Sequence, residues 1–240
     1  MTGLTAWTGG LAGERDPAQP LLTLHDGPAR VELSGATTAN WVAKSANLLV
    51  DGLGGPQRVG LLLPLHWQSV ALLLAGVATG ATVVLARDAA GLAGCDAAFT
   101  TEEQAAGALD AGVDDVLALS GHPLGAPCGP LPAMVTDYAR EVPSYGDGWG
   151  GPRPADVRIE VAGAVLSDLP PYPVTTADRV LFATSLGEPV GLAALLAVLR
   201  AGAALVLLPD PTSVDLARVA ADERATATWG VTQPDLPALG

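Results

Sequence analysis

The chain has 240 residues, 49% apolar and 15% charged, so folding would bury roughly 70% or more of its unfolded surface; disorder and small stapled scaffolds are excluded. A net charge of -13 repels polyanions, because nucleic-acid affinity comes mainly from Lys and Arg on phosphates, and this excludes DNA, RNA and anionic membranes as partners. Two cysteines, Cys95 and Cys128, cannot form a disulfide framework, and the N-terminus lacks the pattern of a secretion signal, so the expected location is the cytoplasm.

Residues 1–20 lack a sustained period and are expected to be a loosely held lead-in or a short helix. ARVELS (29–34) reads as a strand, and Thr37 or Thr38 can cap a helix that runs through Leu49 and stops at Asp51-Gly52. No charge occurs between Arg58 and Arg87. Pro64, His66, Gln68, Ser69 and Gly80 divide that run, so it reads as a buried strand, helix and strand rather than as a membrane span. CDAAFTT is a further short strand, Thr101 and Gln104 have capping-box spacing for the next helix, and DDVLALS is its partner strand.

Proline and glycine are dense from Gly121 to Pro154, broken by a short helix expected near Met134 to Arg140; this stretch is the candidate boundary between lobes. Beyond it come the strands DVRIEVAG, RVLFAT, ALVLL and ATATWGV, with helices expected over about Pro189 to Arg200 and Ser213 to Glu223. The alternation predicts an α/β fold of two similar lobes, each a mainly parallel sheet flanked by helices, over residues 21–140 and 141–240, two units that could also pack as one domain. LLLAGVATGATVVLA from Leu72 aligns with ALLAVLRAGAALVLL from Ala194, with Gly80 on Gly202 at an offset of 122 residues. Related lobes explain this, and so does the general likeness of any two buried β-α-β units.

These segments, together with ELSGATTANWVAKSANLL and ADRVLFATSLGEPVGLAALLAVLRAGAALVLL, resemble the N-terminal region of the acyl-adenylate-forming superfamily, which holds acyl-CoA synthetases, luciferases and peptide-synthetase adenylation domains. The likeness is strongest to a small actinobacterial group of truncated proteins. It implies the fold just described and an ancestry in ATP-dependent carboxylate activation. The superfamily's Ser/Thr/Gly-rich loop ending in Pro-Lys-Gly corresponds to residues 156–176, which hold neither such a run nor a lysine. The chain's one lysine is Lys44. The glycine-rich GDGWGGPRP lies before the strand rather than after it, and Pro152 and Pro154 have no N–H to offer a phosphate; Arg153 could contact one, but the segment reads as a surface turn. The 240 residues stop before the superfamily's remaining nucleotide motifs and its C-terminal catalytic lysine. The resemblance therefore implies no cofactor and no adenylation by this chain alone.

Other constellations are weak. FATSLGEP has the strand, turn and helix of a nucleophile elbow at Ser185, but His25, His66 and His122 all precede that serine. Cys95, His122 and Cys128 lack metal-ligand spacing, and Glu102-Glu103 and Asp114-Asp115 read as caps and solvated surface. The expectation is a non-catalytic protein that binds a small molecule or a partner in the cleft between its lobes, with Thr184, Ser185 and Glu188 as the cleft residues. The alternative is an incomplete acyl-activating subunit completed by another chain or a second copy, which makes a homodimer or a protein partner part of the expectation.

Overall fold

The smaller of the two sheets takes strands from both ends of the chain, and the larger is built from the stretch between them. The computed structural model describes residues 16–151, 154 and 156–240. The lead-in expectation falls mostly outside these residues, and Arg153 falls wholly outside them. In chain order the elements are β1 (Pro20–Asp26), β2 (Ala29–Ser34), α1 (Gly35–Asn47), β3 (Arg58–Leu62), α2 (Trp67–Thr79), β4 (Thr82–Leu85), β5 (Ala97–Thr101), α3 (Ala105–Asp110), β6 (Asp115–Leu119), β7 (Val135–Asp137), α4 (Tyr138–Glu141), β8 (Arg158–Val161), β9 (Ala164–Val165), β10 (Arg179–Phe182), α5 (Pro189–Arg200), β11 (Ala204–Leu207), α6 (Leu216–Asp222) and β12 (Ala227–Trp229).

A five-stranded sheet has the order β12-β10-β11-β1-β2, and a seven-stranded sheet has the order β7-β6-β5-β3-β4-β8-β9. Pairing is parallel except for the hairpins β1/β2 and β8/β9. The N-terminal hairpin therefore completes the sheet of the C-terminal strands, and β8/β9 completes the sheet of the N-terminal strands. Sheet membership crosses the 140/141 division in both directions.

The two-residue period of the strands builds the layers. Val59, Leu61, Val83, Leu85 and Phe99 of the larger sheet share one buried cluster with Val180, Phe182, Leu205 and Leu207 of the smaller, and with Leu72, Leu73, Leu192, Leu195 and Leu196 of α2 and α5. The alternate residues face outward: Leu62, Ala98 and Val116 pack on Ala105 and Ala108 of α3, while Leu181 and Val206 pack on Val219 and Ala220 of α6. The order of layers is helix, sheet, helices, sheet, helix. Sandwiched between sheets, α2 and α5 are buried on nearly every face, which explains why their sequences lack a polar stripe.

The repeat is structural. Moving β3, α2 and β4 along by 122 residues brings them onto β10, α5 and β11 to within a residue or two, and each triplet is a β-α-β unit with its strands paired in parallel. Gly80 (φ 82°) and Gly202 (φ 77°) end the two helices in the left-handed conformation that glycine adopts without a Cβ clash.

Some local expectations differ. Ser34, not Thr37 or Thr38, caps α1, its hydroxyl accepting from the Thr37 N–H at 3.1 Å. The helix expected near Met134 to Arg140 is split into β7 and α4, because pairing of residues 135–137 with β6 overrides a weak local helix preference. Thr101 forms no side-chain cap. Among the described residues, no helix is long and apolar enough to cross a membrane.

Candidate functional site

A cleft of about 450 Å³ opens where the C-terminal ends of β3, β4 and β5 meet the loop that follows β10. Side chains at these strand ends cannot continue the sheet and are free to face a ligand. Leu62, Leu63, Pro64 and Ala86 form its apolar surface. Arg87, Thr101, Gln104, Ser185 and Glu188 supply polar groups, and Gly187 supplies backbone. The two walls are equivalent by the repeat, since a shift of 122 residues carries the turn at Leu63 to His66 onto Ser185 to Glu188. His66 and Glu188 are the N-cap residues of α2 and α5.

Arg87 joins the walls. Its Nε donates to the Gly187 carbonyl at 3.0 Å, and its Nη2 lies 2.8 Å from Glu188 Oε1. Both side chains of this ion pair are about half exposed, so the pair orients the loop more than it stabilises the fold. Gly187 permits the approach, because a Cβ there would stand 2.8 Å from Arg87 Cγ.

Ser185 and Glu188 thus lie on one cleft wall, opposite the turn after β3. Thr184 is set back from the lining: its hydroxyl donates to the Ser185 carbonyl at 3.3 Å and packs where a Cβ on Gly191 would collide with it. Sequence reasoning missed Arg87. The available signal was its position as the first charge after the uncharged run, just past the end of β4.

No histidine lines this cleft among the described residues, so Ser185 has no imidazole beside it of the kind a nucleophile elbow uses. His66 is 5% exposed, and burial holds its imidazole down at about 4. His25 pairs instead with Glu223 at 2.7 Å. Cys95 and Cys128 are free and buried; burial pushes both thiols up, Cys128 to about 12, which leaves them unreactive as nucleophiles. Among the described residues, no group of three or more His, Cys, Asp and Glu side chains is arranged to hold a metal.

The described part of the glycine-rich segment has the wrong polarity for a phosphate. It turns carbonyls toward α1: Asn47 Nδ2 donates to the Gly146 and Gly148 oxygens at 2.9 and 3.0 Å, and Lys44 Nζ donates to the Tyr145 oxygen at 2.6 Å and the Pro143 oxygen at 3.3 Å. Lys44 Nζ also lies 2.6 Å from Asp147 Oδ1. The ammonium of the chain's one lysine is engaged in holding a loop.

No protein-family model matches the chain. Among solved structures, an acyl-CoA synthetase of Brucella canis superposes with a TM-score of 0.70 at 15% identity, covering 95% of this chain and 47% of that one. The N-terminal domain of FACL13 from Mycobacterium tuberculosis gives 0.67 at 16% identity, over 89% of this chain and 59% of that one. ATP-bound MatB from Rhodopseudomonas palustris gives 0.67 at 18%, over 90% and 46%. The fold is that of the N-terminal domain of acyl-CoA synthetases, and the chain spans about half the length of these enzymes. A Mycobacterium tuberculosis protein described as a TIGR03089 family protein is 38% identical over 222 residues, 88% of this chain and 91% of that protein. With its mixed, mainly parallel sheets and synthetase-like framework, the chain belongs to the TIGR03089 family.

Proposed function

We propose that this protein binds a small molecule in the cleft between the two β-α-β units and does not adenylate on its own. The observation that carries the reading is the cleft itself: two repeat-equivalent turns face each other over about 450 Å³, bridged at one edge by Arg87. An apolar surface with a few converging polar groups is the usual form of a small-ligand site. Arg87 is the group for a carboxylate or similar anion, and Ser185 and Gln104 are the neutral hydrogen-bonding groups.

Two observations support a non-catalytic role. Residues 156–176, which correspond to the synthetase phosphate loop, hold no lysine, and Lys44 is engaged on the 143–147 loop. Triphosphate binding draws on such charges. A second reading, favoured by the matched share of the solved synthetases, is that the fold is one part of an acyl-activating unit completed by residues outside these 240.

A thermal-shift screen with magnesium-ATP, AMP, CoA and a set of carboxylates separates the two, because a ligand specific for the folded state raises its melting temperature. The binding reading expects carboxylate shifts that are lost in Arg87→Ala and no shift with magnesium-ATP. A magnesium-ATP shift accompanied by carboxylate-dependent pyrophosphate exchange overturns it in favour of the second. If a protein occupies the cleft instead, a stable complex of higher mass in solution appears and no small molecule shifts the melt.

A further inference from the structure

At equivalent places in the repeat, two N-cap side chains behave differently. His66 caps its own helix, its Nδ1 accepting the Gln68 N–H at 3.2 Å. Glu188 makes no side-chain cap on α5; its carboxylate instead lies at the cleft edge, with Oε1 2.8 Å from Arg87 Nη2. Arg87 is anchored independently of that contact, because its Nε donates to the Gly187 carbonyl at 3.0 Å. Its Nη groups have, among the described residues, only the exposed carboxylate of Glu188. A carboxylate fits a guanidinium best through two parallel N–H groups. With Nε taken by Gly187, the edge left for a ligand is that of Nη1 and Nη2, and Nη2 is where Glu188 stands. An exposed pair of this kind is worth about fivefold at most in an equilibrium constant, so a second carboxylate with further contacts can replace it. The apolar surface of Leu62, Leu63, Pro64 and Ala86 offers those contacts to an aliphatic tail.

We propose that Glu188 stands where the carboxylate of a ligand goes: it occupies Arg87 Nη2 and yields it to a small aliphatic carboxylate, so that Glu188 sets how tightly the cleft holds an anion. The inference rests on the cleft being a ligand site with Arg87 as its anion-binding group. The Gly187 carbonyl keeps the guanidinium in place while its carboxylate partner is exchanged. Glu188 is exposed and caps nothing, so the fold does not depend on its side chain.

The test is NMR on the full chain with labelled glutamate side chains, titrated at neutral pH and constant ionic strength with butyrate and, in parallel, with butyramide. Butyrate is expected to shift the amides of Ser185 and Gly187 saturably and to move the Glu188 carboxyl carbon, with the same midpoint, toward the position of a solvated carboxylate. Glu188→Ala is expected to bind butyrate about threefold to fivefold more tightly than the wild type and butyramide no differently. Asp88→Asn removes a negative charge beside Arg87 while keeping a side-chain oxygen for the Gly91 N–H, and it should change butyrate binding by less than about twofold. If butyrate moves Ser185 and Gly187 while the Glu188 carbon stays fixed, or if Glu188→Ala binds no more tightly, the exchange is refuted and the cleft reading stands. Equal tightening in Asp88→Asn and Glu188→Ala is a general effect of charge and refutes the exchange as well. If butyrate moves none of these signals in the wild type or in Glu188→Ala, both readings fall.

Discussion

Glu223 closes α6, and its side chain is 2% exposed, yet it remains ionised because the charges around it meet it directly. Arg30 Nε donates to its Oε1 at 2.6 Å, Arg179 Nη2 donates to Oε2, and His25 Nε2 lies 2.7 Å from Oε1. Burial alone pushes the carboxyl up, but the hydrogen bonds from Arg30 and His25 and the charges of Arg179 and Arg30 outweigh it, and the net shift is downward. A carboxyl whose folded value is depressed contributes stability above its ordinary 4.5, and that contribution is lost as pH falls through the folded value. Glu223→Gln is therefore expected to destabilise the protein at pH 7 by about 3 kcal/mol, the low end for breaking a buried pair, since Arg30 keeps access to water and to Glu32. Urea unfolding at pH 7 and pH 4 checks this. The variant should also lose less stability than the wild type between those two values, and an equal loss would mean that the cluster is electrostatically idle.

At the scale of elements, the Lys44 clamp and the repeat glycines give two measurable outcomes. Lys44→Met removes the donor from the carbonyls of Pro143 and Tyr145, so amide exchange should quicken across residues 144–148 while global stability falls by about 1 kcal/mol or less, because the ammonium is partly solvated. Gly80→Ala and Gly202→Ala each force a Cβ into the left-handed region, at about 1–2 kcal/mol. Gly202→Ala should cost more, since its Cβ would meet Thr176 Cγ2 at 2.8 Å, whereas that of Gly80 meets Pro154 Cβ at 3.3 Å; denaturant midpoints rank the two. These glycines were legible in sequence because a helix stop between two apolar runs has one local meaning. β1 was not: Leu21, Leu22, Thr23 and Leu24 are all buried in a strand lying between β11 and β2, so no alternation marks it. β7 was hidden for another reason, since Val135–Asp137 is a strand only by virtue of its pairing with β6. In the cleft, Ser185 and Glu188 stood in a strand-turn-helix pattern that can be read locally. Arg87 acquires its place only when the two sheets are packed together.

The whole molecule is held by one core between two sheets, and this determines how it comes apart. Leu72 and Leu73 of α2 and Leu195 and Leu196 of α5 lie in the same buried cluster as residues from both sheets. Loss of either helix exposes both sheet faces, so unfolding is expected to be a single transition, with tryptophan fluorescence and far-UV circular dichroism giving coincident curves. Leu195→Ala, from a fully buried position, should lower stability by about 2–5 kcal/mol and move both curves together. Chain connectivity sharpens the argument. Separating residues 21–140 from 141–240 would strip β1 and β2 from β11, and β8 and β9 from β4, leaving each fragment with strands whose hydrogen-bonding partners lie in the other. Each fragment would also carry one apolar sheet face and one all-round apolar helix with nothing to cover them. Expressed singly, neither fragment should give a cooperative melt; mixed during refolding, the two should regain one. A fragment that melts cooperatively on its own would mean that the lobes are autonomous and that the shared strands are accessory to the fold rather than part of its core.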